Sequence, residues 1–427
     1  MEKTTGMFQP ERYTQDEIRK IQRACCHVFR SEKALHSVVV AESDRKVLHY
    51  PFLEQLTYDD VKQAYRSNVF TLHPDRHHDK APEEIEFYTQ QVEHLNRSYD
   101  YLSMVFSEGR AVTSESLVRT RVIAVGGAKG GIGKSMFAAN LGTLLSALGF
   151  KVVMVDLDLG GSDLHIYMGH RQMPETTLND FLNRKIGCLN DAAVGCEHDG
   201  PVLIAGNAAE LGSANIAFQK KMRLIEAIRK MNADYVVLDL GGGTDFNTLD
   251  FFLAADLGIV LTTLDQAAYL EAYAFIKTAL QRKLNRLFAA DSAFPARKNS
   301  RLKQIVADST TAPEKDGPRT IRDLLEEVAK DDPLALPLIA DEILSFSPRL
   351  VINRCFDSRA ALRVASTLRT VACQRLSVDI DHVGTITRHS RIEQSITYAH
   401  HPLVRRQPSG LFASEMRSII DALDLSG

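Results

Sequence analysis

The chain has 427 residues, of which 44% are hydrophobic and 25% charged, with no Trp and a formal net charge of -3. This balance excludes low-complexity disorder, collagen and coiled coil, and the length allows two or three domains with their own cores. No apolar run reaches the ~18 residues of a membrane span, no stretch is typical of a signal peptide, and the six cysteines lack metal-ligand spacing, so we expect a cytoplasmic protein without membrane association.

Residues 1–118 carry helical patterns, which predict a small all-α domain. Thr14 and Glu17 form the capping-box pattern that begins a helix. Further along, His73-Pro74-Asp75 separates two helical patterns. With its flanking helices, the stretch from about 50 to 105 resembles a J-domain, the module that stimulates DnaK-type chaperones. The resemblance implies that His73, Pro74 and Asp75 form a partner motif.

Two interpretations of this J-like stretch stay open. The second helix of a J-domain is normally basic, whereas residues 59–66 carry two basic and two acidic side chains. One interpretation is stimulation of a DnaK-type chaperone. The other, which we favour, is a helical module that docks on a different protein, with Pro74 as a helix stop and with His73 and Asp75 as local caps.

From Arg121 onward, short β-branched runs alternate with helical periodicity, which is typical of βαβ units around a buried parallel sheet. Strands are predicted at residues 121–127, 151–159, 201–206, 235–240, 257–263, 349–354 and 381–387. We therefore expect an α/β class protein, with a doubly wound, mostly parallel sheet in residues 119–427. A polar stretch at about 283–345, with one amphipathic helix around 320–330, predicts a surface insertion in this domain.

A glycine-rich loop joins the first of these strands to the next helix. Gly130, Gly131 and Gly133 let backbone N–H groups turn toward phosphate oxygens, which bulky side chains would prevent. Lys134 is placed to reach the β- and γ-phosphates, and the hydroxyl of Ser135 is the expected Mg²⁺ ligand. The loop therefore predicts a P-loop that binds a nucleoside triphosphate.

Residues 129–135, KGGIGKS, resemble the deviant Walker A motif of the ParA/MinD ATPases, in which a signature lysine precedes the double glycine. The resemblance continues over most of residues 121–406 and is strongest to the MinD/FlhG branch. It implies ATP and Mg²⁺ as ligands and a homodimer that forms with ATP, in which Lys129 reaches the phosphates of the partner subunit. The nucleotide-binding residues that it implies are Lys129, Gly130, Gly131, Ile132, Gly133, Lys134, Ser135 and Met136, with Asn353, Arg354 and segment 384–402 on the adenine side.

Three aspartates lie at the carboxyl ends of predicted strands, where sheets of this kind bind ligands. Asp156 and Asp158 are two residues apart, so we expect both carboxylates to face the nucleotide. Asp158 is suited to orient or deprotonate the attacking water, whereas Asp156 and Asp239 are suited to the Mg²⁺ site together with Ser135. The predicted catalytic residues are Asp158, Lys129 and Lys134.

The C-terminal part bears on further partners. Residues 346–427 hold eleven Arg and no Lys against seven Asp and Glu, so DNA binding stays open without being favoured. Residues 411–425 are amphipathic but carry one Arg against three acidic residues, which disfavours an anionic membrane. We expect the apolar face of this segment to pack on the sheet.

These patterns together predict an ATP-hydrolysing switch that controls the position or number of a cellular structure, with the flagellum as the leading candidate and with an unidentified protein partner that stimulates hydrolysis. The cellular role follows from the resemblance, and the nucleotide chemistry follows from the residues. Two alternatives stay open: a ParA-like ATPase that partitions DNA, and a non-hydrolysing scaffold or co-chaperone adaptor. The sequence does not identify the cargo or the role of residues 283–345.

Overall fold

The computed structural model describes residues 8–42, 45–108, 120–196, 200–207, 216–292, 294, 296, 298–311, 320–389 and 402–426. The chain folds into two compact units, each assembled from separate stretches of sequence. Unit 1 comprises residues 1–115, 280–346 and 370–379, and unit 2 comprises residues 116–279, 347–369 and 380–427.

The helices, numbered in chain order, are α1 (Gln15–Phe29), α2 (Pro51–Glu54), α3 (Tyr58–Leu72), α4 (Pro82–Glu108), α5 (Lys134–Ala147), α6 (Leu164–Tyr167), α7 (Leu178–Leu182), α8 (Phe218–Arg229), α9 (Phe246–Ala254), α10 (Gln266–Arg286), α11 (Ser300–Thr311), α12 (Ile321–Asp331), α13 (Leu336–Leu344), α14 (Ser358–Leu376), α15 (Leu403–Arg406) and α16 (Leu411–Ala422). The strands are β1 (Val38–Glu42), β2 (Arg45–His49), β3 (Arg121–Gly126), β4 (Val152–Leu157), β5 (Ala193–Gly195), β6 (Val202–Ile204), β7 (Tyr235–Leu240), β8 (Leu257–Thr262), β9 (Arg349–Cys355) and β10 (Asp381–Thr387). Short 3₁₀ turns lie at Pro10–Arg12, Glu32–Leu35, Pro74–Arg76 and Leu189–Ala192.

Helix α1 organises the core of unit 1. It begins at the predicted capping box, where the Thr14 hydroxyl accepts from the N–H of Glu17 and the Glu17 carboxylate accepts from the N–H of Thr14. Ile18, Ile21 and Val28 recur at helical spacing and are fully buried, and α1 packs on α3, α4 and α13. Burial of each such side chain contributes about 1.5–3 kcal/mol, so this face holds the helices of unit 1 together.

Unit 1 differs from the sequence prediction in two respects. Strands β1 and β2 form an antiparallel hairpin in a region predicted as all-α. Residues 280–346 include the stretch of about 283–345 that was predicted as a surface insertion of the ATPase domain. They group with residues 1–115, because α13 packs on α1 and buries Ile339 and Ile343. The polar average of this stretch conceals that apolar face. The domain boundary predicted at residue 118 lies outside the described residues and stays a prediction.

Unit 2 contains an eight-stranded sheet in the order β10-β9-β8-β3-β7-β4-β6-β5. Every neighbouring pair is parallel except β5 and β6, and the sheet confirms the predicted α/β fold and all seven predicted strands. The three-residue strand β5 was not predicted. Strand β3 lies between β7 and β8, where the strand order reverses. Ligands of open α/β sheets bind at such a point, beyond the carboxyl ends of the strands.

Helix α16 confirms the expectation for the C-terminal segment. Its apolar residues Phe412, Met416, Ile419 and Ile420 are buried, and the helix packs on β10 and α5. The apolar face is therefore part of the core of unit 2. In the described part of the chain, no helix combines the length and apolarity that crossing a membrane requires.

Candidate functional site

The predicted loop and the ends of four strands surround a cavity of about 270 Å³ in unit 2. The cavity is lined by the predicted residues Gly130, Gly131, Gly133, Lys134, Ser135, Met136, Asp158, Asn353 and Arg354. It is also lined by Thr387, Arg388 and His389, which belong to the predicted adenine-side segment 384–402, and by Asp163, Tyr167 and Gly242, which were not predicted as individual site residues. The structure thus brings most of the predicted residues to one place, although they come from distant parts of the sequence.

The backbone of the loop requires glycine at Gly133. This residue has a φ of 95° and caps the N-terminus of α5, a left-handed conformation that other residues rarely adopt. A Cβ atom here would lie 2.6 Å from Nδ2 of Asn353. The first N–H groups of α5, which have no carbonyl partner within the helix, therefore begin directly at the cavity, as in an anion-binding site.

Lys134 places a buried ammonium group at this helix start. The residue is only 7% exposed, and Nζ donates to the carbonyl oxygen of Lys129 at 3.2 Å. Burial lowers the pKa of Lys134, and the carboxylates of Asp239 and Asp158 oppose that effect. The ammonium is therefore held in position by one backbone carbonyl, with donors left for phosphate oxygens.

Asp156 and Asp239 lie side by side on β4 and β7 and are fully buried. Asp156 accepts hydrogen bonds from the N–H groups of Asp158 (3.1 Å) and Leu164 (3.2 Å). Burial, followed by the charge of Asp239, raises the pKa of Asp156 well above its usual range.

Burial also raises the pKa of Asp239 to about 7, although Ser135 and Lys134 oppose this rise. Among the described residues, neither carboxylate oxygen of Asp239 has a hydrogen-bond donor within standard distance.

These residues fit Mg²⁺ bound together with a phosphate. An unpartnered buried carboxylate and a nearby hydroxyl are the oxygen ligands that Mg²⁺ prefers. Within the described ranges, no three His, Cys, Asp or Glu side chains are grouped so as to hold a metal ion by themselves. Because Mg²⁺ is commonly bound through one or two carboxylates plus substrate phosphates, Asp239 and Ser135 would hold it only with a nucleotide present.

The two aspartates after β4 face different surroundings. Asp158 lines the cavity, and it also lines a neighbouring cavity of about 500 Å³ with Gly241 and Asp245. Asp156 does not line either of these cavities, because its oxygens bind the backbone of the segment that follows β4. We expected both carboxylates to face the nucleotide, and the structure instead gives Asp158 access to the cavity and buries Asp156 outside its lining.

The cavity residues that sequence reasoning missed have a common origin. Asp163 and Tyr167 belong to the segment after β4, and Gly242 follows β7. Burial raises the pKa of Asp163, and the hydroxyl of Ser135 opposes this effect. Because the carboxyl ends of parallel strands meet at one edge of the sheet, the residues after β4 and β7 could have been found by that rule alone.

Asn353 and Arg354 lie at the end of β9 and line the cavity, and their assignment to the adenine side stays a prediction. The side chain of Asn353 is buried, and its Nδ2 donates to the carbonyl oxygen of Ile132 at 2.8 Å. Arg354 has a φ of 53° and is exposed at the cavity. Of the predicted adenine-side segment 384–402, residues 390–401 lie outside the described residues.

Lys129, the predicted signature lysine, forms an ion pair within its own chain. Its Nζ lies 2.7 Å from Oδ2 of Asp265, and both side chains are partly exposed. Each group stabilises the charged form of the other, so the pKa of Lys129 is raised and that of Asp265 is lowered by their hydrogen bond.

The predicted partner motif lies on an exposed turn of unit 1 between α3 and α4. His73 ends α3, Pro74–Arg76 forms a single 3₁₀ turn, and Nδ1 of His73 accepts from the N–H of Asp75 at 3.4 Å. The helices pack together, and the rings of Tyr65 and Tyr99 stack at 3.9 Å. Both flanking helices are confirmed, and the resemblance to a J-domain stays a prediction.

A glycine-rich loop between a central strand and a helix, with a buried lysine and a buried aspartate on the neighbouring strand, defines a P-loop NTPase. Residues 119–285 match the family model described as "ParA: NUBPL iron-transfer P-loop NTPase". Residues 119–285 of unit 2 are thus similar to P-loop NTPases of the ParA family, in agreement with the resemblance of the loop sequence.

Several curated relatives are similar to part of the chain. The flagellum site-determining protein YlxH of Helicobacter pylori is 31% identical over 167 residues, which are 38% of this chain and 55% of that protein. The septum site-determining protein MinD of Synechocystis is 31% identical over 152 residues, which are 36% of this chain and 56% of that protein. The antiactivator FleN of Pseudomonas aeruginosa is 27% identical over 164 residues, or 38% and 57% of the two chains. The chain thus spans about half the length of the curated relatives it matches.

Among solved structures, one similar protein is the septum site-determining protein MinD from Pyrococcus horikoshii, complexed with Mg-ADP. The similarity covers 71% of this chain and 96% of that protein, with 17% identity and a TM-score of 0.47. Another is the ParA family ATPase from Chlorobium tepidum. Here the similarity covers 72% of this chain and 99% of that protein, with 17% identity and a TM-score of 0.45.

Proposed function

We propose that unit 2 is an ATP-hydrolysing switch that dimerises when ATP and Mg²⁺ are bound. The observation that carries this proposal is the cavity itself, where Lys134, Ser135 and Asp158 meet beside the buried pair Asp156 and Asp239. An ammonium, a hydroxyl and a carboxylate with access to the same space are the groups that hydrolysis of a triphosphate requires.

Each group has a role that its surroundings support. Lys134 and the N–H groups at the start of α5 bind the β- and γ-phosphates. Ser135 and Asp239 hold Mg²⁺, which neutralises charge that develops on the phosphates. Asp158 orients the attacking water and accepts its proton, since its carboxylate lines the cavity. Asp156 keeps the backbone of the following segment in place through its two N–H contacts.

Lys129 serves the dimer in this proposal. When two subunits associate around ATP, Lys129 exchanges its contact with Asp265 for the phosphates of the partner subunit. Attraction between an ammonium and a triphosphate exceeds that between an ammonium and one carboxylate, so ATP favours the exchange. Hydrolysis removes the γ-phosphate and with it part of this attraction, and the dimer dissociates.

The cellular role that we propose is control of the position or number of a cellular structure. Support comes from two relatives, one named a flagellum site-determining protein and one a septum site-determining protein. Among these, the flagellum is our leading candidate, with an unidentified protein partner that stimulates hydrolysis. The cytoplasm is the proposed location.

Phosphate release from ATP tests the enzymatic part of the proposal. We expect the purified wild-type chain to release phosphate, and Asp158→Ala to reduce turnover about 10²- to 10⁴-fold while it retains ATP affinity. Lys134→Ala should weaken ATP binding by about 10- to 100-fold, because it removes a charged donor to phosphate. Equal phosphate release by the wild type and Asp158→Ala would instead favour the non-hydrolysing scaffold.

The effect of salt on DNA binding distinguishes the DNA-partitioning alternative from the proposed switch. ATP-dependent retention of the protein on DNA that weakens steeply between about 50 and 200 mM salt would favour that alternative. A flat response, or no retention, would remove it.

We propose a docking role for the J-like turn of unit 1 as a second function. The supporting observation is the exposure of His73 and Asp75, whose side chains are 49% and 88% accessible. If the wild-type chain stimulates ATP hydrolysis by a purified DnaK-type chaperone, His73→Gln should abolish that stimulation. If the wild type itself gives no stimulation, the turn serves a different partner, and the favoured interpretation from the sequence holds.

A further inference from the structure

The amide of Asn353 is engaged by the phosphate loop. Nδ2 donates to the carbonyl oxygen of Ile132 at 2.8 Å, and Oδ1 accepts from the N–H of Arg354 at 2.8 Å. The residue is only 1% exposed. One donor and one acceptor of the amide are thus used inside the protein, although the family resemblance assigns Asn353 to the adenine side of the nucleotide.

The contact falls at the residue pair where the loop becomes a helix. Ile132 and Gly133 precede Lys134, and Gly133 adopts the left-handed φ of 95°. The N–H of a trans peptide points away from its C=O, and none of the described peptide bonds is cis. Holding the Ile132 carbonyl on Asn353 therefore aims the Gly133 N–H away from Asn353, and Gly133 itself lines the cavity.

The absence of a side chain at Gly133 is what permits this approach. A Cβ atom there would lie 2.6 Å from Nδ2 of Asn353 and 3.9 Å from Cγ. The glycine thus serves two purposes at once, a backbone conformation and a close contact with the amide.

We propose that Asn353 is a positioning residue for the phosphate loop: it fixes the peptide group between Ile132 and Gly133 so that the loop is ready for phosphate. This inference rests on the proposed function, because it concerns the same nucleotide site. Its consequence is that Asn353 strengthens binding of the phosphate chain whichever base is attached to it.

Three ligands separate positioning from base reading: ATP, GTP and inorganic tripolyphosphate, which has no base. Calorimetric titration of each with Mg²⁺ gives dissociation constants for the wild type and for Asn353→Ala. We expect all three to weaken by the same factor, about five- to tenfold, which is the effect of one buried hydrogen bond. A loss confined to ATP, with tripolyphosphate unchanged, would overturn the inference.

Two further variants keep the test decisive. Asn190→Ala, an exposed amide outside the cavity, is the matched control and should bind all three ligands as the wild type does. Asn353→Ser retains a polar atom at the buried position but is too short to reach Ile132, so it should reproduce the uniform loss if Asn353→Ala does not fold.

A double-mutant cycle with Gly133→Ala tests the contact itself. Gly133→Ala places a methyl group against Asn353, so the two substitutions break the same contact and their effects on tripolyphosphate affinity should not add. Full additivity would contradict the inference. Failure of the wild type to bind any of the three ligands would refute the proposed function instead, so the two failures are distinguishable.

Discussion

Nζ of Lys129 and Oδ2 of Asp265 lie 2.7 Å apart within one chain. The resemblance implies that Lys129 reaches the phosphates of the partner subunit. In this structure it is instead paired with a carboxylate that directly precedes helix α10. Because the two side chains remain 32% and 57% exposed, water and salt screen this pair and a stronger anion can displace the carboxylate.

Removal of this carboxylate should favour the ATP-bound dimer. In Asp265→Ala, Lys129 has no competing partner at this position, so we expect the dimer formed with ATP to tighten about two- to fivefold. Sedimentation of the protein with ATP, in an Asp158→Ala background that slows hydrolysis, measures the change. Asp291→Ala, which removes the exposed pair with Arg286, is the control. A dimer that is weaker in Asp265→Ala than in the control would contradict a competitive role for Asp265.

Asp239→Asn should stabilise the nucleotide-free protein at alkaline pH. The pKa of Asp239 is about 7 in the fold, against ~4 for an unfolded chain, so ionisation between these values costs folding free energy and wild-type stability falls as the pH rises through this range. The neutral amide avoids this cost. We expect Asp239→Asn to melt above the wild type at pH 8 and close to it at pH 4, measured without Mg²⁺.

The same variant should bind ATP with Mg²⁺ at least about tenfold more weakly, because the amide is a poor ligand for Mg²⁺. Asp421→Asn, an exposed carboxyl on α16, provides the control for both measurements. A lower melting temperature for Asp239→Asn at pH 8 would show that the buried carboxylate has a partner in solution.

Lys221 and Asp250 form a buried ion pair between α8 and α9, with side chains only 5% and 6% exposed. Asp250→Ala leaves the ammonium buried without its carboxylate, which should cost about 3–5 kcal/mol in the free energy of unfolding. The double variant Lys221→Met/Asp250→Leu removes both charges and should recover most of this loss. Urea denaturation compares the variants. Equal losses for the single and double variants would mean that packing, not the unpaired charge, sets the cost.

Glu415 on α16 holds the end of β10 at the cavity. Its carboxylate accepts from Oγ1 of Thr387 at 2.6 Å and from the N–H of Thr387 at 3.2 Å. Glu415→Ala should therefore lower the free energy of unfolding by about 1–3 kcal/mol and weaken ATP binding severalfold. Ser418→Ala on the same helix is the control, since its hydroxyl bonds only within α16 among the described contacts. Unchanged ATP affinity in Glu415→Ala would show that this contact of α16 does not influence the nucleotide site.

The sheet and the phosphate loop could be predicted because their signals are local. Buried parallel strands are continuous β-branched runs, and the loop needs its glycines and Lys134 within a few residues of one another. The same rule placed Asp158 and Asp239 at strand ends, since strands of this fold carry their ligand-binding residues there.

The rest depends on pairings that no local pattern contains. Asp265 is 136 residues from Lys129, and Asn353 is 221 residues from Ile132. Periodicity shows that α13 has an apolar face but not that α1 covers it, so residues at about 283–345 were expected to be an insertion. The hairpin of β1 and β2 was missed because five-residue strands in a helical region give too short an alternation to outweigh their neighbours.

The packing of α1 on α13 has a consequence for the newly synthesised chain. Nε2 of His27 meets Oδ2 of Asp341 at 2.8 Å, across 314 residues of sequence. At ribosomal rates of ~5–20 residues per second, α13 is made roughly 15–60 s after α1. Until then α1 lacks the helix that packs against it at His27, so the nascent chain leaves this part of α1 uncovered for most of its time on the ribosome.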